Sequence, residues 1–134
     1  MAWRKLIVCN AVALAAGLTS FAIVGLVQFP GIFRNPITAS AIACAVYFAP
    51  PLLVASAIAM WRRHAAPLSI HVLLSVVWWG LLVYPWARKP WAYYGEFPWQ
   101  GIARVWLPIL PPIVIAGVGF WAAYWCAGRS APSR

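Results

Sequence analysis

Chemistry in this chain would have to come from very few side chains. Glu96 is the single acid among 134 residues. Hydrolysis by paired carboxylates is therefore excluded within one chain, and a Ser/His/Asp constellation lacks its Asp. His71 falls inside an apolar segment, where an imidazole can ligate haem or chlorophyll or relay protons. A bis-His haem needs ligands from two facing helices, yet His64 lies on the same stretch as His71, seven residues earlier. The simpler expectation is that His71 hydrogen-bonds a neighbour such as Asn10 or Ser75. Cys9, Cys44 and Cys126 are odd in number and lack paired spacing, which speaks against a disulfide framework or a zinc site. No catalytic residue, cofactor or metal ligand is expected, and the chain is read as a non-enzyme.

Two proline pairs are the other candidates. Pro50-Pro51 and Pro111-Pro112 both interrupt apolar segments. A proline inside a helix removes a hydrogen bond and clashes with the preceding turn. In a bilayer the freed carbonyl must find another partner. Interrupted helices at matching places in two halves can mark a transport path, while simple kinks would only shape a bundle.

These residues sit in a composition that water cannot solvate. The chain is 65% hydrophobic and 8% charged, against about 25% charge in soluble domains. Ten tryptophans fit the headgroup region of a membrane. A crossing needs about 20 apolar residues, and four segments supply it: residues 6–29, 38–61, 68–84 and 105–126. The first resembles a signal peptide but is longer than the roughly 7–15 residues of such a core, so it is expected to stay as an anchor. The fold expected is a single all-α membrane domain, residues 1–134, with four spans in a small antiparallel bundle. An aromatic segment over 85–104, "PWARKPWAYYGEFPWQGIAR", carries Glu96 and is expected to lie at the outer interface.

Small residues four apart (Ala13-Gly17, Ala16-Ser20, Ser40-Cys44, Ala41-Ala45 and Gly119-Ala123) predict close helix approaches. Asn10 and Gln28 are expected to hydrogen-bond between helices. "GLVQFPGIFRNP" and "GLLVYPWARKP" match in order, as do "APPLLVAS" and "LPPIVIAG". The two hairpins are therefore expected to be a repeat, with Pro30 and Pro85 each ending a helix.

The net charge of +9 is spread over short connections, which fits membrane topology rather than nucleic-acid binding. With the N-terminus cytoplasmic, Arg4, Lys5, Arg62, Arg63, Arg129 and Arg134 lie inside, and Arg34, Arg88, Lys89 and Arg104 outside. That excess places both termini in the cytoplasm, in a multi-pass protein of a bacterial inner membrane. The function expected is a non-catalytic accessory or assembly subunit, in contact with the lipid bilayer and with other membrane subunits or itself. The alternative is a small oligomeric pore or carrier, with the kinked second and fourth spans lining the path.

Overall fold

The computed structural model describes residues 2–28, 35–62, 68–88 and 98–129. All regular structure among them is helical. Helix α1 is Ala2–Gln28. The second span joins α2 (Pro36–Ile42), a π-helical stretch (Ala43–Phe48) and α3 (Ala49–Arg62). Helix α4 is Leu68–Ala87. The fourth joins α5 (Pro98–Gly101), a second π-helical stretch (Ile102–Trp106), a 3₁₀ turn (Leu107–Ile109) and α6 (Leu110–Arg129). Four segments are long and apolar enough to cross a membrane: Trp3–Gln28, Ile37–Trp61, Ser69–Ala87 and Trp99–Gly128.

Local chemistry explains the starts. The Asn35 side chain accepts from the Thr38 backbone N–H at 3.3 Å, and Pro36 follows at the first helical position, where its missing donor costs nothing. Pro98 likewise stands at the first position of α5.

Two boundaries differ from the sequence expectation. Pro85 does not end its helix: α4 runs on to Ala87, with the Arg88 N–H reaching the Tyr84 carbonyl at 3.2 Å. The fourth span begins near Trp99 instead of residue 105, so Arg104 is carried on its π-helical stretch. The aromatic segment expected over residues 85–104 is shortened, because α4 takes residues 85–87 and the fourth span takes residues 98–104. Pro30 and Glu96 lie outside the described residues.

The core follows α1 and α6. Leu6, Cys9 and Ala13 meet Ile113, Ala116, Phe120 and Trp121, with Phe48, Leu52 and Ala55 from the second span. Small residues set the spacing. A Cβ added to Gly17 would lie 2.9 Å from the Ala116 Cβ and 3.2 Å from Phe48; one added to Gly119 would lie 3.3 Å from the Ala16 Cβ. The Ala13-Gly17 row and Gly119 thus let two backbones approach, as small residues do where dispersion replaces the hydrophobic effect. Nearer the chain ends, the Lys5 ammonium sits 3.8 Å above the Tyr124 ring. The fourth span is the most buried of the four. The two hairpins are unequal: α4 packs closely on α6, whereas α1 makes its main contact with α6 and not with the second span.

Candidate functional site

The two proline pairs pose one physical problem and the protein solves it twice. In the second span, the Val46 carbonyl would bond the N–H of residue 50 in an α-helix or of residue 51 in a π-helix. Both are prolines, so it has neither donor. The Ala49 N–H cannot help, because it closes the π turn onto the Cys44 carbonyl. The Trp78 indole on α4 donates instead, Nε1 to the Val46 oxygen at 2.9 Å.

In the fourth span the Leu107 carbonyl faces the same loss, with Pro111 and Pro112 at the corresponding offsets. Here the Leu110 N–H tightens into a 3₁₀ bond with Leu107. That shift takes the Leu110 donor away from the Trp106 carbonyl, its ordinary α-helical acceptor. The Trp79 indole fills the gap, Nε1 to the Trp106 oxygen at 2.7 Å. Adjacent tryptophans on one helix therefore reach in two directions and close the open carbonyls of both proline-containing spans. In hydrocarbon each unsatisfied carbonyl would cost several kcal/mol. The sequence flags the prolines but not their partners. Trp78-Trp79 lies within an apolar segment with nothing in the sequence to single it out, and only the register of α4 brings it to those carbonyls.

The four prolines themselves share no surface. Pro112 is fully enclosed, Pro50 and Pro51 are half-buried and Pro111 is exposed. Two apolar clefts are prominent, one between α1 and the second span and one along α1 beside Ile115; none of the four prolines lines either.

His71 is 4% exposed. Its ring meets Trp121 at 5.2 Å and Phe120 at 5.5 Å between centroids. Gly117 makes the room, since a Cβ there would lie 3.3 Å from the imidazole Cδ2. The expected hydrogen bonds to Asn10 and Ser75 do not form on the ring. Ser75 Oγ donates to the His71 backbone carbonyl at 2.8 Å, as a helical serine commonly does. The Asn10 amide donates to the Leu6 carbonyl at 2.9 Å and the Ser56 hydroxyl at 3.0 Å. Nε2 of His71 is buried without a partner among the described residues, as is the Trp121 indole nitrogen. No group of three His, Cys, Asp or Glu residues that could hold a metal occurs among the described residues.

Asn10 does bridge α1 to the second span through Ser56, as expected, whereas Gln28 is exposed at the end of α1. The cysteines are thiols in three settings: Cys9 buried, Cys44 half-buried and Cys126 exposed.

Aromatic residues gather at both ends. Tyr84, Trp86, Trp99 and Trp106 surround one end, with the Trp86 and Trp106 rings 5.9 Å apart and the Arg88 guanidinium 5.5 Å from the Tyr84 ring. Trp121, Tyr124 and Trp125 lie at the far end of α6, near Lys5. Along the fourth span, Trp106 and Trp121 are separated by about 22 Å and Trp99 and Trp125 by about 39 Å, at 1.5 Å per residue. Those intervals bracket a hydrocarbon core about 30 Å thick. The chain matches no protein-family model, no curated protein and no solved structure.

Proposed function

We propose that this chain is a non-catalytic subunit of a membrane assembly, a four-span antiparallel bundle in a bacterial inner membrane with both termini in the cytoplasm. One observation carries the reading: the carbonyls opened by the proline pairs are closed by Trp78 and Trp79. A conducting or carrying path uses such freed carbonyls to coordinate its cargo. Here they are spent on bracing α4 against both neighbours. The contacts Lys5–Tyr124, Gly17–Ala116 and Asn10–Ser56 favour helices running in alternate directions. The aromatic girdles favour insertion, and the Lys and Arg excess favours the cytoplasmic ends.

Purification in mild detergent, followed by identification of stoichiometric companions, tests the proposal. Reconstitution into vesicles tests the rival. An assembly subunit copurifies with a defined membrane partner and adds no ion flux. Protein-dependent flux that changes in Pro50→Ala or Pro111→Ala would replace this reading with the pore.

A further inference from the structure

With the helices in the alternate directions proposed above, the start of α1 meets the ends of α3 and α6. Asn10 bonds Ser56. Arg4 stands as far before Asn10 as Arg62 stands after Ser56, so both lie about 9 Å beyond that bond at 1.5 Å per residue. Lys5 rests on Tyr124, and Arg129 is the last residue of α6. None of α1, α3, α4 and α6 contains Asp or Glu. The single acid of the chain, Glu96, falls in the sequence between α4 and α5. No carboxylate on these helices neutralises the cations gathered at this end.

Lys5 is held in place. Its ammonium lies 3.8 Å from the centre of the Tyr124 ring, an attraction that positions the charge. An ammonium has three hydrogens to donate, and no acceptor among the described residues takes a hydrogen bond from Nζ. Gly128 is exposed beside it, and a Cβ there would lie 3.6 Å from Nζ. The missing side chain leaves the ammonium open on that flank. Arg4, next in the chain, is exposed. Trp3, Trp61 and Trp125 are exposed at the same end, and such rings sit at the headgroup level of a bilayer. The layer of lipid phosphates is therefore what this ammonium faces.

We propose that the Lys5 ammonium, backed by Tyr124 and left open by Gly128, is a binding site for the phosphate of a net-anionic phospholipid. A zwitterionic headgroup brings its own ammonium and leaves the positive excess uncancelled, so the site selects against it. The inference rests on the chain being inserted in a membrane with alternate helix directions, and is independent of its being an assembly subunit.

The protein extracted from vesicles of phosphatidylethanolamine and phosphatidylglycerol in equal parts provides the test, with the retained lipids counted by native mass spectrometry. The wild type should retain phosphatidylglycerol several-fold over phosphatidylethanolamine. Lys5→Gln should abolish that preference. Gly128→Leu, which keeps every charge and covers the ammonium, should weaken it several-fold. Arg88→Gln, which removes a charge from the other end, should leave it unchanged. If Lys5→Gln does not fold, Gly128→Leu at its exposed position decides alone. Equal retention of the two lipids, a preference that survives Gly128→Leu, or an equal fall in Arg88→Gln overturns the site and leaves only diffuse attraction. Displacement of the lipid by excess inorganic phosphate overturns it in favour of a free anion. An acidic protein that copurifies with the wild type and is lost in Lys5→Gln, with lipid retention unchanged, overturns it in favour of a protein partner. Extraction of the protein by alkaline carbonate would instead defeat the membrane reading, which keeps the two failures distinct.

Discussion

The indole nitrogen of Trp78 donates to the backbone carbonyl of Val46 across 2.9 Å, and Val46 lies four residues before Pro50 and five before Pro51. A side chain on one helix thus supplies the donor that two prolines withhold on another. The proline pair is tolerable where α4 is docked in this register, so the pair and the docking are one feature.

Removing the indole should therefore cost stability in proportion to the need for it. Trp78→Phe is expected to lose about 1–3 kcal/mol, the penalty for a carbonyl left without a donor where surrounding hydrocarbon supplies none, read by unfolding in mixed detergent micelles. Pro50→Ala restores a backbone donor for Val46, so the same Trp78→Phe change should cost much less in that background. Equal losses in both backgrounds would break the link between Trp78 and the proline.

A stricter case is Trp79 with Pro111. The connection runs from the Pro111 site through the Leu107 carbonyl, the Leu110 N–H and the Trp106 carbonyl to the indole. Pro111→Ala lets residue 111 bond Leu107, which releases Leu110 to return to Trp106. A double-mutant cycle between Trp79→Phe and Pro111→Ala should show a coupling of roughly 0.5–3 kcal/mol. Strict additivity would sink the relay.

Two glycines should respond oppositely to the same methyl group. At Gly17 a Cβ would sit 2.9 Å from Ala116 and against Phe48, whereas at Gly80 nothing lies within 4 Å. Gly17→Ala should destabilise by about 1–3 kcal/mol through overpacking. Gly80→Ala should be neutral or stabilising by up to about 1 kcal/mol, because the helix loses its most flexible residue. Thermal unfolding in detergent, compared side by side, decides this.

His71 should behave as a packing residue. His71→Ala is expected to cost about 2–4 kcal/mol by opening a hole between Phe120 and Trp121. His71→Gln, which keeps much of the volume, should cost less, and the visible absorption of the purified protein should be flat in both wild type and variant. A haem or chlorophyll band lost in His71→Gln would assign the imidazole to a cofactor.

Topology has its own test. Reporter fusions after residue 134 should give a cytoplasmic signal and those within residues 90–97 a periplasmic one. A cytoplasmic signal from the second set contradicts the proposed orientation.

The four spans could be read from the sequence because length and hydropathy suffice for that, and so could the close approach at Gly17 and Gly119. The bracing tryptophans could not. Which carbonyl an indole reaches depends on the axial offset of α4 against its neighbours, and hydropathy carries no information on axial offset. The same gap explains His71. Its neighbours Gly117, Phe120 and Trp121 belong to α6, some fifty residues on, whereas sequence reasoning offered the polar residues Asn10 and Ser75. The helical extensions past Pro85 and before residue 105 were hidden because proline and arginine read as boundaries in isolation. The backbone problem shared by Pro50-Pro51 and Pro111-Pro112 was legible, whereas the expected repeat of whole hairpins meets unequal packing in the two halves. That the two halves solve it differently, one directly and one through a 3₁₀ turn, depends on tertiary contacts.

The interface between α1 and α6 joins the two ends of the chain, with Lys5 on Tyr124 and Gly17 on Ala116. That has a consequence for biosynthesis. Helix α1 is made well before its principal partner α6, so in a bilayer it would wait while the intervening segments are inserted. Closing contacts between residues about a hundred positions apart is slow, and until then the Ala13-Gly17 notch stays open to any other small-residue helix nearby. A nascent chain arrested before residue 110 should leave α1 inserted but accessible to thiol reagents at Cys9, and release should bury that cysteine. The order of synthesis, and not only the final packing, then sets the interval in which this protein can be captured by something else.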